Sequence, residues 1–146
     1  EAQSQECRQV DWVSGAFLLV RRAMIDVVGL LDEDYFMYAE EMDWCYRMKQ
    51  CGWPVFYLPP AQAVHWAGGS SQRIPERKRA QLYRSKWLFL HKHRGPLRAL
   101  VFRILVRVVS VLKLLVWGSS TLSSDPVRRE HARRQAASYR FLLANF

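Results

Sequence analysis

Acidic residues are scarce in the second half of this 146-residue chain, where residues 72–146 hold seventeen Lys and Arg but only three acids. The first half has the opposite balance, with ten acids and five bases in residues 1–71. This asymmetry predicts an acidic half that carries chemistry and a basic half that faces an anionic partner, either a membrane surface or nucleic acid.

Cysteine is also rare, and its odd number excludes a simple disulfide framework. The three cysteines, Cys7, Cys45 and Cys51, do not have the paired spacing of a zinc site either, which favours a reducing compartment. The first nine residues lack the basic-then-apolar order of a secretory signal and contain no initiator methionine. We therefore expect a cytoplasmic protein, and we expect the chain to be a piece of a longer one.

Half of the residues are hydrophobic and 24% are charged, which excludes a disordered tail or a fibrous repeat. Patterns of apolar residues, glycines and prolines predict an α/β chain. The predicted strands cover residues 10–20, 55–58 and 63–66. The predicted helices cover residues 22–28, 39–50, 75–93, 97–117 and 127–146, with Gly29 and Gly52 ending the first two.

The most hydrophobic stretch, Leu97 to Trp117, has the length of a membrane span but is interrupted by four cations. These cations fall in one half of the helical wheel and are Arg98, Arg103, Arg107 and Lys113. The other half is almost entirely apolar, which is typical of a helix that lies in the membrane interface with its cations on lipid phosphates. The alternative is a helix that packs on the protein core through its apolar half and leaves a solvated basic face.

The densest group of chemically useful side chains lies between Asp32 and Arg47. Glu40 and Glu41 stand at the start of the predicted helix, where the helix dipole favours ionised carboxylates. Such a carboxylate can accept a proton from a hydroxyl nucleophile. The alternative is an ordinary acidic first turn with one ion pair between Asp43 and Arg47, which are four residues apart.

His65 follows a short apolar segment and precedes the Gly68-Gly69 pair. A histidine at the end of a strand beside a glycine-rich loop is a candidate ligand for a metal or a phosphate. A lone histidine of this kind is more often structural, and both interpretations stay open.

The series WVSGAFLLVRR and VGLLDEDYFMYAEEMDWCYRMKQCGWPVFYLPPAQAVHWAGGSS resembles the second half of the catalytic domain of family 2 inverting glycosyltransferases, rhamnosyltransferase-like enzymes in particular. The resemblance covers about residues 10–95. It implies a partial GT-A domain, which is an α/β fold related to the Rossmann topology. It also implies a nucleotide-diphosphate sugar donor, a saccharide or lipid-linked acceptor, a divalent metal (Mn or Mg) and a role in cell-surface polysaccharide synthesis.

The resemblance also implies roles for individual residues. The family's acidic pair falls on Glu40-Glu41, with Glu41 as the general base and Asp43 as a residue that shares or takes that role. His65 matches the metal ligand that completes a site begun by an Asp-x-Asp motif. The residues that match the acceptor side of the site are Trp12, Gly15, Ala16, Trp44 and Arg47.

The family's nucleotide-binding half and its Asp-x-Asp motif are expected upstream of residue 1. We therefore expect residues 1–95 to be the acceptor half of the domain, residues 96–146 to be a tail of basic amphipathic helices, and the chain by itself to be inactive. We expect the protein to lie on the inner face of the cell membrane, bound to anionic lipid. The alternative function is a non-catalytic module that binds membrane or nucleic acid, but the acidic cluster would repel nucleic acid and we expect none.

Overall fold

The computed structural model describes residues 6–65 and 75–146, which form a mixed α/β chain of mostly helices with one small sheet. The chain divides into two compact units, Glu1–Ala67 and Gly68–Phe146. The elements are β1 (Arg8–Val10), α1 (Arg22–Val28), α2 (Glu40–Gln50), β2 (Val55–Tyr57), α3 (Pro75–Arg94), α4 (Pro96–Ser120) and α5 (Pro126–Asn145).

The two short helices of the first unit confirm the sequence prediction. Gly29 ends α1 at a φ of 81°, and its N–H donates to the carbonyl of Ile25. Gly52 also has a φ of 81° and follows the last residues of α2. The N–H of Gly52 donates to the Lys49 carbonyl and the N–H of Trp53 donates to the Met48 carbonyl, which is the Schellman arrangement.

Replacing Gly52 by Ala should lower the free energy of unfolding by about 1 kcal/mol. The cost arises from the left-handed backbone and not from crowding, because a Cβ at this position would have no neighbour within 4 Å. Urea denaturation of Gly52→Ala, compared with Gly118→Ala inside α4, measures it. At Gly118 alanine should stabilise the helix instead, and a destabilisation of equal size at both positions would contradict the explanation.

The sheet is shorter than the sequence predicts. β1 pairs with β2 in antiparallel register, with Val10 opposite Val55, so Asp11 comes to lie opposite Pro54. Proline has no N–H to donate to the ladder, and the pairing ends there. The prediction of one strand over residues 10–20 is therefore wrong beyond Val10, and the rest of that segment consists of bends, turns and backbone without regular secondary structure.

The prediction of a strand over residues 63–66 is also wrong for the part of it that the structure describes. Residues 63–65 belong to no strand, and Trp66 lies outside the described residues. The Gly68-Gly69 loop that was predicted to follow this strand lies outside them as well.

The core of the first unit joins α1, α2 and β2. It consists of Met24, Trp44, Cys45, Met48 and Val55. Three of these five residues lie on α2, so this helix is held firmly along one face. That face fixes the direction in which the first turn of α2 presents its carboxylates.

In the second unit α3, α4 and α5 each pack against the other two, which makes a three-helix bundle and confirms all three predicted helices. The bundle is closed by Val106 of α4, Leu142 of α5 and the C-terminal Phe146. The units divide between Ala67 and Gly68, and α3 packs with the two helices that follow it.

One feature of α4, the side of the helix that faces the bundle, differs from both interpretations of its sequence. The half of the helix that carries the cations also carries the buried residues Ala99, Val106 and Ser110, while the apolar half is exposed. Arg103 is therefore half-buried in the bundle, where its Nε donates to the Phe146 carbonyl at 2.7 Å. The expectation that all four cations point outward is wrong for Arg103. In the described ranges, no helix combines the length and the apolar character that crossing a membrane needs.

Candidate active site

The first turn of α2 lies against the segment of residues 13–15. A Cβ built on Gly15 would be 3.5 Å from the Cβ of Glu41, so the backbone passes directly beside that side chain. One helical turn further on, Cys45 receives a backbone hydrogen bond from Val13. Glu41 and Cys45 share a face of α2, so the segment runs along that face. The structure thus brings together Glu41 and Gly15, which the resemblance assigned to one site.

Glu41 is half-buried, and this burial raises the pKa of its carboxyl group above the ordinary value. The negative charge of neighbouring Glu40 raises it further. Hydrogen bonds from the backbone N–H groups of Glu41 and Gly15 act in the opposite direction but do not cancel the effect of burial. Burial disfavours the charged form of an acid because water no longer solvates it.

Both carboxylates of the pair have an oxygen that is buried and accepts no hydrogen bond. These atoms are Oε2 of Glu40 and Oε2 of Glu41. A buried polar atom without a partner is rare in folded proteins because each one costs about 1–3 kcal/mol. Each of these two oxygens can therefore accept a further hydrogen bond.

Asp43 has a different environment, although it lies only two residues away. Its side chain is completely buried, and Oδ2 accepts a hydrogen bond from Nε of Arg47 at 2.8 Å. Oδ1 accepts a hydrogen bond from the hydroxyl of Tyr35 at 3.3 Å. Both carboxylate oxygens are therefore occupied by partners within the fold.

Arg47 extends this network to the loop that follows α1. Its two terminal nitrogens donate to the carbonyls of Val28 and Leu30, at 2.9 and 2.8 Å. The indole N–H of Trp44 donates to the carbonyl of Gly29, which lies between them, at 2.9 Å. Three consecutive carbonyls are thus held by two side chains of α2. In this structure Trp44 and Arg47 fix the loop, and their place in an acceptor pocket stays a prediction.

The remaining predicted residues are exposed. Trp12 is 49% exposed. Ala16 is exposed, and its N–H donates to Oγ of Ser14 at 3.3 Å. His65 is exposed near the end of the first described range. The roles of these three residues stay predictions.

A divalent metal does not fit the described residues by themselves. Among residues 6–65 and 75–146, no three His, Cys, Asp or Glu side chains lie close enough together to hold a metal ion. The resemblance places the other ligands of the metal in the Asp-x-Asp motif that is expected upstream of residue 1, so the divalent metal stays a prediction. His65 as a metal ligand stays a prediction.

Sequence reasoning missed two features of the site. Tyr35 is buried, and both this burial and the charge of Asp43 raise the pKa of its hydroxyl. No helical or strand periodicity connects a loop tyrosine with a residue eight positions later. The second feature is the pair Tyr38 and Ala39, which have φ values of 68° and 67°. This left-handed backbone is strained for residues other than glycine, and it immediately precedes Glu40.

No family model matches the chain, and no solved structure matches it. Among curated proteins, the chain is similar to the N-acetylglucosaminyl-diphospho-decaprenol L-rhamnosyltransferase of Mycobacterium tuberculosis. The two are 41% identical over 93 residues, which make up 63% of this chain and 30% of the relative. It is 41% identical over 58 residues to the rhamnosyltransferase WbbL of Escherichia coli K12. These residues make up 40% of this chain and 22% of that relative. It is 28% identical over 100 residues to the dTDP-rhamnosyl transferase RfbF of Shigella flexneri. The match covers 60% of this chain and 33% of that relative.

The chain spans a third or less of the length of these relatives. The resemblance to rhamnosyltransferase-like enzymes is confirmed over the matched part.

Proposed function

We propose that this chain, which resembles part of the rhamnosyltransferase-like enzymes, forms the acceptor side of a glycosyltransferase of the GT-A type. The relatives are all named as transferases of sugars, which favours an enzyme over a non-catalytic module. The α/β character of the first unit is compatible with part of such a domain. The proposal is carried by the half-buried Glu41, whose side chain lies beside the backbone of Gly15 and whose Oε2 accepts no hydrogen bond.

In the proposed reaction a hydroxyl group of the acceptor donates its proton to the carboxylate of Glu41. The hydroxyl oxygen forms a bond to the anomeric carbon of the donor sugar, and the bond from that carbon to the diphosphate breaks. The electron pair leaves with the nucleoside diphosphate, and one displacement inverts the anomeric configuration. A carboxylate with a raised pKa is a stronger base than an exposed one, so burial assists this proton transfer.

Glu41 suits this role better than Asp43 because its carboxylate has a free oxygen. The Asp43 carboxylate is already bound by Arg47 and Tyr35, and a base would have to give up one of these bonds to receive a proton. We therefore assign Asp43 to the support of the site. Glu40 acts on Glu41 through its charge, which raises the pKa of the base.

The donor that fits the relatives is a nucleotide-diphosphate sugar, and a dTDP-linked rhamnose is the first to test because one relative is named for it. The acceptor is a saccharide, or a sugar linked to a lipid through diphosphate as in the name of the mycobacterial relative. A lipid-linked acceptor would be held at a membrane, so the proposal includes a peripheral location on the inner face of the cell membrane.

Replacing Glu40 by Gln should shift the acidic limb of the pH–rate profile to lower pH. The base must be ionised to work, so the limb reports the pKa of Glu41, and removing the adjacent negative charge lowers that pKa. The measurement is kcat as a function of pH for the full-length gene product that contains this chain, with and without Glu40→Gln. The matched control is Glu130→Gln on α5, an exposed glutamate of the other unit.

A limb that moves to higher pH, or does not move while Glu40→Gln retains activity, would contradict the assignment of Glu41. Loss of the limb in an active Glu40→Gln enzyme would show that Glu40 itself is the base.

A further inference from the structure

The outward half of α4 is an apolar surface that no other element of the second unit covers. Its members are each 46% to 73% exposed and are Leu97, Leu100, Val101, Ile104, Leu105, Val108, Val109, Val111, Leu112, Leu115 and Val116. We call this set the α4 face. The face extends over twenty residues of helix, which corresponds to a length of about 30 Å. Contiguous exposed apolar surfaces of this size mark interaction sites.

The helix is fixed in this orientation by the bundle. At 100° per residue, Ala99, Val106 and Ser110 lie opposite the centre of the α4 face, and all three are buried. Arg103 is held on the bundle side by the Phe146 carbonyl and lies over the ring of Trp87 at 5.9 Å. Rotating the helix to bury its apolar half would break these contacts, so the exposure of the face is a property of the folded unit.

The charge around the α4 face is of one sign. Arg98 and Arg107 are exposed and lie at its two edges, and Lys113 is exposed further round the helix. The helix has no acid, and the two acids at the start of α5 already form ion pairs, Asp125 with Arg128 and Glu130 with Arg134.

We propose that the α4 face docks on a membrane surface that contains anionic lipid. The helix lies parallel to the surface, with the apolar side chains in the acyl boundary and with Arg98 and Arg107 on lipid phosphates. A second copy of the chain would satisfy the apolar face but would bring like charges together along both edges. An anionic bilayer satisfies both the face and its edges.

This proposal rests on the proposed function and deepens it, because it names the surface that would bring the enzyme to a lipid-linked acceptor. Its test contains no sugar, so lipid binding and transfer can fail independently of each other.

The experiment is sedimentation of the chain with vesicles of phosphatidylcholine alone, or of phosphatidylcholine mixed with the anionic lipid phosphatidylglycerol. The test variant replaces Ile104, Val108 and Leu115 by Ser at the centre of the face. Binding to the mixed vesicles should fall at least tenfold, because each removed side chain takes apolar area out of the acyl boundary. The control replaces Leu122 and Val127 by Ser, which are 87% and 77% exposed but lie outside the face, and it should bind normally.

Two further variants distinguish the cations at the edges of the α4 face from Arg103, which lies on the bundle side of the helix. Arg98→Gln combined with Arg107→Gln should weaken binding to the anionic vesicles and reduce its dependence on salt. Arg103→Gln should leave binding unchanged and lower the thermal stability of the bundle instead, because its partner is the Phe146 carbonyl.

Three results would overturn the proposal. Equal binding to neutral and anionic vesicles at low salt would remove the role of the cations. Unchanged binding of the triple variant would remove the role of the α4 face. A dimer in gel filtration that the triple variant dissociates, together with no vesicle binding by the unaltered chain, would assign the face to a second copy. Hydroxyl-radical footprinting of the unaltered chain on vesicles needs no variant, and protection of Ile104, Val108 and Leu115 is expected.

Discussion

Replacing Glu41 by Gln should lower kcat of the full-length gene product by about 10² to 10⁴, the usual effect of losing a general base. Glutamine keeps the size and shape of the side chain but has no carboxylate to receive the proton of the acceptor hydroxyl. KM for the donor should change little, because the proposed role of Glu41 is on the acceptor side. Initial rates at saturating donor and acceptor, with Glu130→Gln as the exposed control, give the comparison.

Substitution of Asp43 by Asn tests the competing assignment. In our account Asp43 supports the fold, so its loss should reduce the stability of the enzyme more than the rate of the folded fraction. Near-normal turnover of the Glu41→Gln enzyme, with an Asp43→Asn enzyme that is folded but inactive, would show that Asp43 is the base.

Replacing Arg47 by Met should lower the free energy of local unfolding of α2 by about 3 kcal/mol. The carboxylate of Asp43 is completely buried, and the variant removes the guanidinium that forms an ion pair with it at 2.8 Å. The variant also loses the hydrogen bonds to the carbonyls of Val28 and Leu30. Hydrogen exchange of the backbone amides of α2 is the suitable measurement, because it reports the opening of this helix separately from the second unit.

The chain contains a matched control for this variant. Arg22 and Asp26 of α1 form another ion pair four residues apart, with a distance of 3.0 Å, but their side chains are 85% and 58% exposed. Arg22→Met should therefore cost no more than about 1 kcal/mol. Adding Asp43→Asn to Arg47→Met should recover part of the loss, since it removes the buried charge. Equal and small effects at Arg22 and Arg47 would contradict the structural role of the Asp43–Arg47 pair.

The helices could be predicted from the sequence because their signals are local. Gly29 and Gly52 end α1 and α2, and Pro96 and Pro126 stand in the first turns of α4 and α5. The extent of the strands could not be predicted, because it depends on a partner segment. The pairing of β1 stops where Pro54 comes opposite it, and this register is set forty-five residues away in the sequence.

The candidate site shows the same division. Charge and spacing in the sequence single out the carboxylates of α2, and the spacing of Asp43 and Arg47 predicts their ion pair, which the structure confirms. The difference between Glu41 and Asp43 arises from burial and from long-range partners. Gly15 reaches Glu41 from twenty-six residues away, and the Tyr35 hydroxyl reaches Asp43 from a loop with no periodicity.

The orientation of α4 could not be predicted for a related reason. The sequence places cations and apolar residues on opposite halves of the helix, but this pattern does not determine which half faces the bundle. The buried side of α4 includes the small residues Ala99 and Ser110.

The most direct test of the account is the anomeric configuration of the transferred sugar. The full-length gene product would be supplied with dTDP-rhamnose and a lipid-linked or saccharide acceptor, and the product would be examined by NMR. A single displacement assisted by Glu41 gives a product whose anomeric configuration is opposite to that of the donor. Transfer with retained configuration, or no transfer from any nucleotide-diphosphate sugar to either class of acceptor, would contradict the account.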